Sequence, residues 1–297
     1  MGHDKLRKFA ENETFSCLIQ PSSAELLTDG YFNLRDHSVK GHWNGTVFPS
    51  EGDIVVEFGC GKGEYTIDLA SRNPDRNYIG VDIKGARLWK GAKWATENGM
   101  PNVAFLRTRI EFITAFFAPG EVSEIWLTFS DPQMKSENSR LTSPLFLERY
   151  RSFLKPGGIV HLKTDSRFLH EYTKAVCEAN GLKILACTTD LYGSVTGTSF
   201  RNRAPLGIVR GETGTVGPER SGGIPEVCAG HGAEIEPEVY EVQTFYEKMF
   251  LDQGCKITYL SFVIDREGEY IYSDTFDAAY WKEQEGDRRS FGHQRNK

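Results

Sequence analysis

The chain has no closely spaced cysteines, no long apolar run and no excess of positive charge. Its six cysteines, Cys17, Cys60, Cys177, Cys187, Cys228 and Cys255, are scattered without a C-x-x-C spacing. That excludes the common zinc and iron–sulfur ligand patterns, so no metal is expected and reduced thiols are the default. No apolar stretch approaches the length of a membrane span. The opening Met1-Gly-His-Asp-Lys5 lacks an apolar signal region, so a cytoplasmic location without a membrane partner is expected. With 35 Lys and Arg against 41 Asp and Glu, the net charge is −6. An acidic body argues against a broad nucleic-acid-coating surface, and DNA is not an expected partner. A local basic patch remains compatible with it.

What is present is an ordinary enzyme composition. The 297 residues are 39% hydrophobic and 26% charged, enough chain for one large α/β core or two small ones. The organising stretch is Asp53-Ile-Val-Val-Glu-Phe-Gly-Cys-Gly-Lys-Gly-Glu-Tyr65. Its apolar run, Ile54 to Phe58, stops at Gly59, Gly61 and Gly63, and a helical pattern begins at Glu64. This is a buried strand, a glycine turn and a helix N-terminus, the opening unit of a doubly wound α/β sheet. Glycine lets the backbone approach a ligand that any Cβ would strike. A dinucleotide fingerprint would place its third glycine at position 64, which is Glu64 here. The G-x-G-x-G spacing, with Glu57 inside the strand, suits the cationic S-adenosylmethionine better than a pyrophosphate, which Glu64 would repel. Taken alone, the turn also reads as a structural or other-nucleotide loop.

The following segments sharpen the choice. Asn77 to Asp82 reads as a second strand ending in a carboxylate about 20 residues beyond the turn, where the ribose of a nucleoside cofactor is held. Lys84 to Asn98 is helical, and Val103 to Leu106 is a third strand leading to Arg107-Thr-Arg-Ile110, where adenine belongs. A fourth strand, Glu124 to Phe129, runs into Ser130-Asp131-Pro132-Gln133-Met134-Lys135. Strand into Asp-Pro is often only a turn, but a strand tip near the switch point is where ligands bind. The upstream cofactor signals favour the second reading. Lys135 and Arg140 follow on the same loop, either placed to hold phosphates or merely solvated.

Ser143 to Leu154 is an amphipathic helix with Phe146, Tyr150 and Phe153 turned to the core. Lys155 to Gly158 turns into a fifth strand, Ile159 to Leu162, which ends in Lys163-Thr164-Asp165. A helix over Phe168 to Ala179 and a strand over Lys183 to Cys187 follow. Residues 193–237 are rich in glycine, proline, serine and threonine and read as a long loop or disordered insertion. Its Arg201, Arg203, Arg210 and Arg220 fit either phosphate contacts or a solvated linker. The spacing predicts a helix over Val239 to Gly254 carrying Thr244-Phe-Tyr-Glu247, then a closing strand over Cys255 to Ile264. The organisation is therefore an arm (1–50) packed on the core or lying across a polyanion, a catalytic domain (51–264) interrupted by the insertion, and a charged tail (265–297).

Five features coincide in order: Glu57-Phe-Gly-Cys-Gly-Lys-Gly63, Val81-Asp82-Ile83-Lys84, Phe129-Ser-Asp131-Pro-Gln-Met-Lys135, Lys163-Thr-Asp165 and Thr244-Phe-Tyr-Glu247. On these the chain resembles the bacterial tRNA (guanine-N7-)-methyltransferase family, especially its Bacteroidetes-like branch. The resemblance implies a Rossmann-like class I S-adenosylmethionine-dependent methyltransferase with a doubly wound, mostly parallel seven-stranded sheet whose last strand is antiparallel. It implies methyl transfer from S-adenosyl-L-methionine to guanosine N7 in tRNA, at position 46 of the variable loop, leaving S-adenosyl-L-homocysteine. It implies cofactor contacts from Glu57, Gly59, Gly61, Gly63, Asp82, Ile83, Arg109, Ile110 and Asp131, with Asp131 at the reacting centre. By the same likeness Lys135, Asp165, Thr244 and Glu247 contact tRNA. The chain departs from the family at Gln133-Met134, where many members have tryptophan and a basic cluster. It departs again at Arg109-Ile110, where many present Asn or Asp to adenine, and in its glycine-rich insertion. Two other readings share parts of these features: a methyltransferase for a small molecule or protein, and a non-catalytic tRNA-binding protein.

Overall fold

The computed structural model describes residues 2–28, 33–193, 227–232 and 235–285. In chain order the elements are α1 (Gly2–Asn12), β1 (Leu18–Ile19), α2 (Ser23–Leu26), β2 (Ile54–Phe58), α3 (Glu64–Arg72), β3 (Asn77–Asp82), α4 (Gly85–Glu97) and β4 (Val103–Arg107). They continue with β5 (Val122–Thr128), α5 (Pro144–Arg151), β6 (Leu154–Thr164), α6 (Arg167–Ala179), β7 (Lys183–Thr188) and β8 (Val227–Gly232). The last are α7 (Pro237–Glu241), α8 (Phe245–Asp252), β9 (Thr258–Val263) and α9 (Ala278–Glu285). Among the described residues no helix is long and apolar enough to cross a membrane.

Every residue of β2 and β3 is buried, as a parallel strand covered by helices on both faces requires. Alternation divides them between two cores. Ile54, Val56, Phe58, Ile79 and Val81 pack with Phe112, Tyr150, Phe153 and Leu169 on one side. Val55, Tyr78 and Phe105 pack with Ile67, Leu69, Leu88 and Ala92 on the other. The strands run in the order β1-β4-β3-β2-β5-β6-β9-β7-β8. From β1 to β6 all pairings are parallel, and β9 is antiparallel to both β6 and β7. The expected seven strands with an antiparallel last member form the middle of this sheet. The two-residue β1 and the antiparallel β8 extend its two edges.

The structure gives the arm a position and changes several expected element boundaries. The arm packs on the body: Asn12 Nδ2 donates to Gly85 O at 3.0 Å and Trp89 Nε1 donates to Glu11 at 2.7 Å. Arg7 and Lys8 lie against the Trp89 ring and pair with Asp4 and Glu11 rather than standing free. The expected turn at Lys155–Gly158 is a bulge within β6, where the register with β5 shifts between Val122 and Glu124. The helix expected over 239–254 is two helices, because Val242 and Thr244 are extended. Thr244 caps α8 by accepting from Glu247 N at 3.2 Å, and its Thr-x-x-Glu spacing is the sequence signal for such a start.

The insertion contributes β8 to the sheet, while its four arginines lie outside the described residues. The tail, described through Glu285, packs against α6. Phe276 meets the Phe168 and Tyr172 rings edge-on, and Glu285 accepts from Ser166 Oγ at 2.6 Å and from Phe168 N, capping α6. Cys187 is disulfide-bonded, against the expectation of reduced thiols, whereas Cys17, Cys60, Cys177 and Cys255 are free.

Within β5, Glu124 links β6 to the residue that precedes β3. It accepts from Arg76, lies 3.6 Å from His161 Nε2, and His161 stacks on Trp126 with 4.0 Å between ring centres. Burial opposes its ionisation, but His161 and Arg76 outweigh burial and hold the carboxyl at about 2. A depressed carboxyl stabilises the fold above its unfolded value and loses that contribution as pH falls towards the folded one, here from about 4.5 to about 2. Glu124→Gln is expected to remove on the order of 3 kcal/mol at neutral pH and to flatten the acid limb of stability in that window. Urea unfolding at a series of pH values checks this; an unchanged acid limb would refute it.

Candidate cofactor and substrate site

The residues singled out from sequence gather along one edge of the sheet. Arg109 and Ile110 lie just past β4, Asp82 ends β3, Gly59 and Gly61 follow β2, Asp131 follows β5 and Asp165 follows β6. These five strands are neighbours, so the carboxyl ends of adjacent parallel strands share one rim, the standard ligand position of an open α/β sheet.

The glycine turn does two different jobs. Gly59 (φ +77°) and Gly61 (φ +59°) border open space, with nothing beyond Gly59 O within reach of an added Cβ. Gly63 (φ +74°) faces inward, and a Cβ there would collide with the Phe105 ring. Gly63 thus serves close packing of α3 and α4 on β4. Asp82 Oδ2 accepts from Gly61 N at 3.0 Å and Oδ1 from Lys84 N at 2.7 Å. Each oxygen keeps a further lone pair for a ribose hydroxyl. Ile83, next in the chain, is 53% exposed and offers an apolar face beside that position. The open turn, the carboxylate and the apolar ledge fit a nucleoside cofactor. Arg109 is exposed over the Phe112 ring, 3.7 Å from Glu111, and Ile110 packs on the core.

Glu57 lies within β2, just before the glycine turn. It is buried, its Oε2 accepts from Thr66 N at 2.9 Å and from Thr66 Oγ1, and its Oε1 accepts from Thr128 Oγ1. Burial raises its pKa, an effect the Thr128 and Thr66 hydrogen bonds partly offset. It therefore caps the start of α3, which Gly63 has no side chain to do, and ties that start to the end of β5. Its described hydrogen-bond partners are Thr66 and Thr128, beneath the turn.

Beyond Thr128 the backbone is held in an unusual shape. Phe129 (φ +50°) and Gln133 (φ +46°) are the two non-glycine residues with positive φ among the described residues, and they flank Asp131. Such conformations persist where surrounding structure enforces them and cluster at functional sites. Asp131 is exposed; its Oδ1 accepts from Gln133 N at 2.9 Å, leaving Oδ2 without a partner among the described residues. Lys135 is exposed on the same loop with no ion pair among the described residues. Arg140, expected beside it, is 3% exposed, stacked on Phe168 and Tyr172 and paired with Glu137 at 3.6 Å. It braces the loop from inside and is not available to a phosphate.

The segment Thr244 to Glu247 is brought to this rim by α8, but Glu247 itself turns inward. It is fully buried and its Oε1 meets Lys163 Nζ at 2.8 Å and the Tyr192 hydroxyl. Lys163 Nζ also donates to Val239 O at 2.7 Å and Val242 O at 2.9 Å. Burial pushes the Lys163 ammonium down from its ordinary value, while the Glu247 carboxylate opposes that shift. Sequence reading missed this pair, although a Lys163 inside a buried strand is itself a signal that a partner carboxylate exists. Two further contacts fix α8: Phe245 N donates to Glu64 Oε2 at 3.0 Å, and Phe250 stacks on Phe129 at 5.9 Å. Asp165 is half-buried at the tip of β6.

Removing one member of a buried pair strands the other charge. Lys163→Met is expected to destabilise the protein by about 3–5 kcal/mol, and the double variant Lys163→Met/Glu247→Leu to recover most of the loss. Denaturant unfolding of the two variants checks this; a single-variant loss under about 1 kcal/mol would contradict the pairing.

A family model described as "Putative methyltransferase" matches residues 51–196. A tRNA (guanine-N(7)-)-methyltransferase of Christiangramia forsetii is 45% identical over 88% of this chain and 98% of that protein. One of Bacteroides fragilis is 43% identical over 91% of this chain and 89% of its own length. Among solved structures, the 16S rRNA methyltransferase KamB aligns over 72% of this chain and 88% of its own, at 16% identity and a TM-score of 0.46, too distant to bear on substrate. With the relatives aligned across nearly their whole length and the rim built as described, the chain belongs to the tRNA (guanine-N(7)-)-methyltransferase family.

Proposed function

We propose that this protein transfers a methyl group from S-adenosyl-L-methionine to N7 of guanosine in tRNA, at position 46 of the variable loop. The observation that carries the reading is Asp131, whose Oδ2 has no partner among the described residues, held between two positive-φ residues just past β5, the strand next to β2 and its glycine turn. Full-length similarity to tRNA (guanine-N(7)-)-methyltransferases supports the substrate.

Guanine N7 carries an in-plane lone pair and no hydrogen, so attack needs no general base. The cofactor supplies an electrophilic methyl group on a positively charged sulfur. What remains for the protein is placement and electrostatics. Asp82 and the apolar face of Ile83 hold the nucleoside end, and the Gly59–Gly61 turn lets the backbone run close beside it. Asp131 accepts from the N1–H and N2 amino edge of guanine, aims N7 and stabilises the positive charge that grows on the purine. Glu57, through Thr66 and Thr128, keeps the turn and the Asp131 loop in register. Lys135 supplies a phosphate contact beside the target nucleotide. No step calls for a metal.

Asp131→Ala is expected to lower kcat on tRNA by at least about 100-fold while cofactor affinity stays within a few-fold. Stopped methyl-transfer assays and calorimetric cofactor titration check the two sides, and near-wild-type turnover would remove Asp131 from the reacting centre. The substrate is tested with labelled cofactor and unmodified tRNA transcripts, with and without the variable-loop guanosine. Label is expected only in guanosine-bearing transcripts; equal labelling of both would overturn the assigned position.

A further inference from the structure

The segment beyond β9 runs along α6, from that helix's C-terminal end to its N-terminal end. At the first end Asn180 grips one residue by both backbone groups: Ile271 N donates to Asn180 Oδ1 and Asn180 Nδ2 donates to Ile271 O, each at 2.8 Å. Tyr270 N donates to Glu148 at 3.0 Å. Midway, Phe276 meets the Phe168 and Tyr172 rings, the two rings on which Arg140 is stacked. At the far end stands Glu285, with Ser166 Oγ and Phe168 N as donors.

This path touches two loops of the rim. The Tyr272 hydroxyl donates to Asn138 Oδ1 at 2.6 Å. Beside Asn138, a series of turn bonds leads back to Asp131: Ser139 N to Ser136 O at 3.2 Å, Ser136 N to Gln133 O at 3.1 Å, and Gln133 N to Asp131 Oδ1 at 2.9 Å. Glu285 reaches the other loop, because Ser166 directly follows Asp165 at the tip of β6. None of residues 131–139 is buried, so core packing does not fix them, and such a loop takes its order from the hydrogen bonds that reach it. Ile271 is 52% and Tyr272 44% exposed, a poor use of large side chains if filling the core were their task.

We infer that the segment beyond β9 is a strap that positions the Asp131 and Asp165 loops, Tyr272 acting through Asn138 and Glu285 through Ser166. The inference rests on the proposed role of Asp131 and adds the residues that keep it aimed. Tyr272 and Glu285 are positioning residues, since each acts through a loop residue and not on the reacting atoms. The glycine turn and Asp82 are tied by separate contacts, so loosening the strap misplaces the substrate side and spares the cofactor side. Small errors of placement are costly in a reaction that depends on alignment.

The test uses the full chain. Tyr272→Phe removes one hydroxyl and should lower kcat on tRNA about three- to tenfold. Cofactor affinity should stay unchanged, and Tm should stay within about 2 °C. Asn138→Ala should do the same, and Tyr272→Phe/Asn138→Ala should be no worse than either single variant, because both ends of one bond are gone. Asn138→Asp keeps an acceptor and should keep kcat. Additive losses, or no loss in either single variant, overturn the link. Glu285→Ala should raise KM for tRNA about three- to tenfold; an unchanged KM overturns that end of the strap. Hydrogen exchange of the peptide spanning residues 131–140 reads the strap without methyl transfer. Faster exchange in Tyr272→Phe than in the wild type supports it, and equal exchange overturns it. Failure of the wild type to methylate tRNA, with that difference in exchange intact, would instead reject the proposed reaction and leave the strap standing.

Discussion

Glu57 is the constraint on which the site depends. A carboxylate inside a fully buried strand must find partners, and this one finds them on two different elements, the first turn of α3 and the last residue of β5. Satisfying one buried group thereby fixes the distance between the glycine turn and the Asp131 loop. Because unsatisfied buried acceptors cost as much as several ordinary hydrogen bonds contribute, this coupling is stiff. Asp82 adds a second tie by accepting from Gly61 within the turn. The exposed groups of the rim therefore rest on internal polar contacts.

The same division runs through α8. Lys163 and Glu247 hold it from below, Glu64 and Phe129 hold it at the rim, and the residues left outside are those with a surface to offer. A buried ion pair is seldom a source of net stability against an apolar alternative. Its use here is directional: three carbonyl and carboxylate acceptors around one ammonium allow a single seat for the helix. Glu247 Oε2 and the Tyr65 hydroxyl lack partners among the described residues, so the arrangement is not tuned for stability alone.

Much of this was legible in the sequence, for a physical reason. The strand tips at Gly59, Asp82, Asp131 and Asp165 are set by local features, an apolar run broken by glycine, aspartate or proline, and local features survive in one dimension. Direction is not local. Glu57, Arg140 and Glu247 are all charged, and composition alone suggests that they face outward; each instead turns inward to a partner many residues away. The helix break at Thr244 was readable as a capping box but was masked by a continuous apolar period. The edge strand β8 and the helix α9 could not be read, since one draws its order from β7 and the other from the N-terminus of α6.

The position of β9 has a consequence for how the chain reaches this state. It lies between β6 and β7 and hydrogen-bonds to both, yet it is translated after them and after the whole insertion. Until residues 258–263 emerge, β6 and β7 each present an unpaired apolar edge. Closure of such a long loop is slow and leaves sticky strands in the open. Nascent or truncated forms ending before β9 should therefore be prone to edge-to-edge association, and the rim, whose Asp165 tip follows β6, is completed only after β9 has been made.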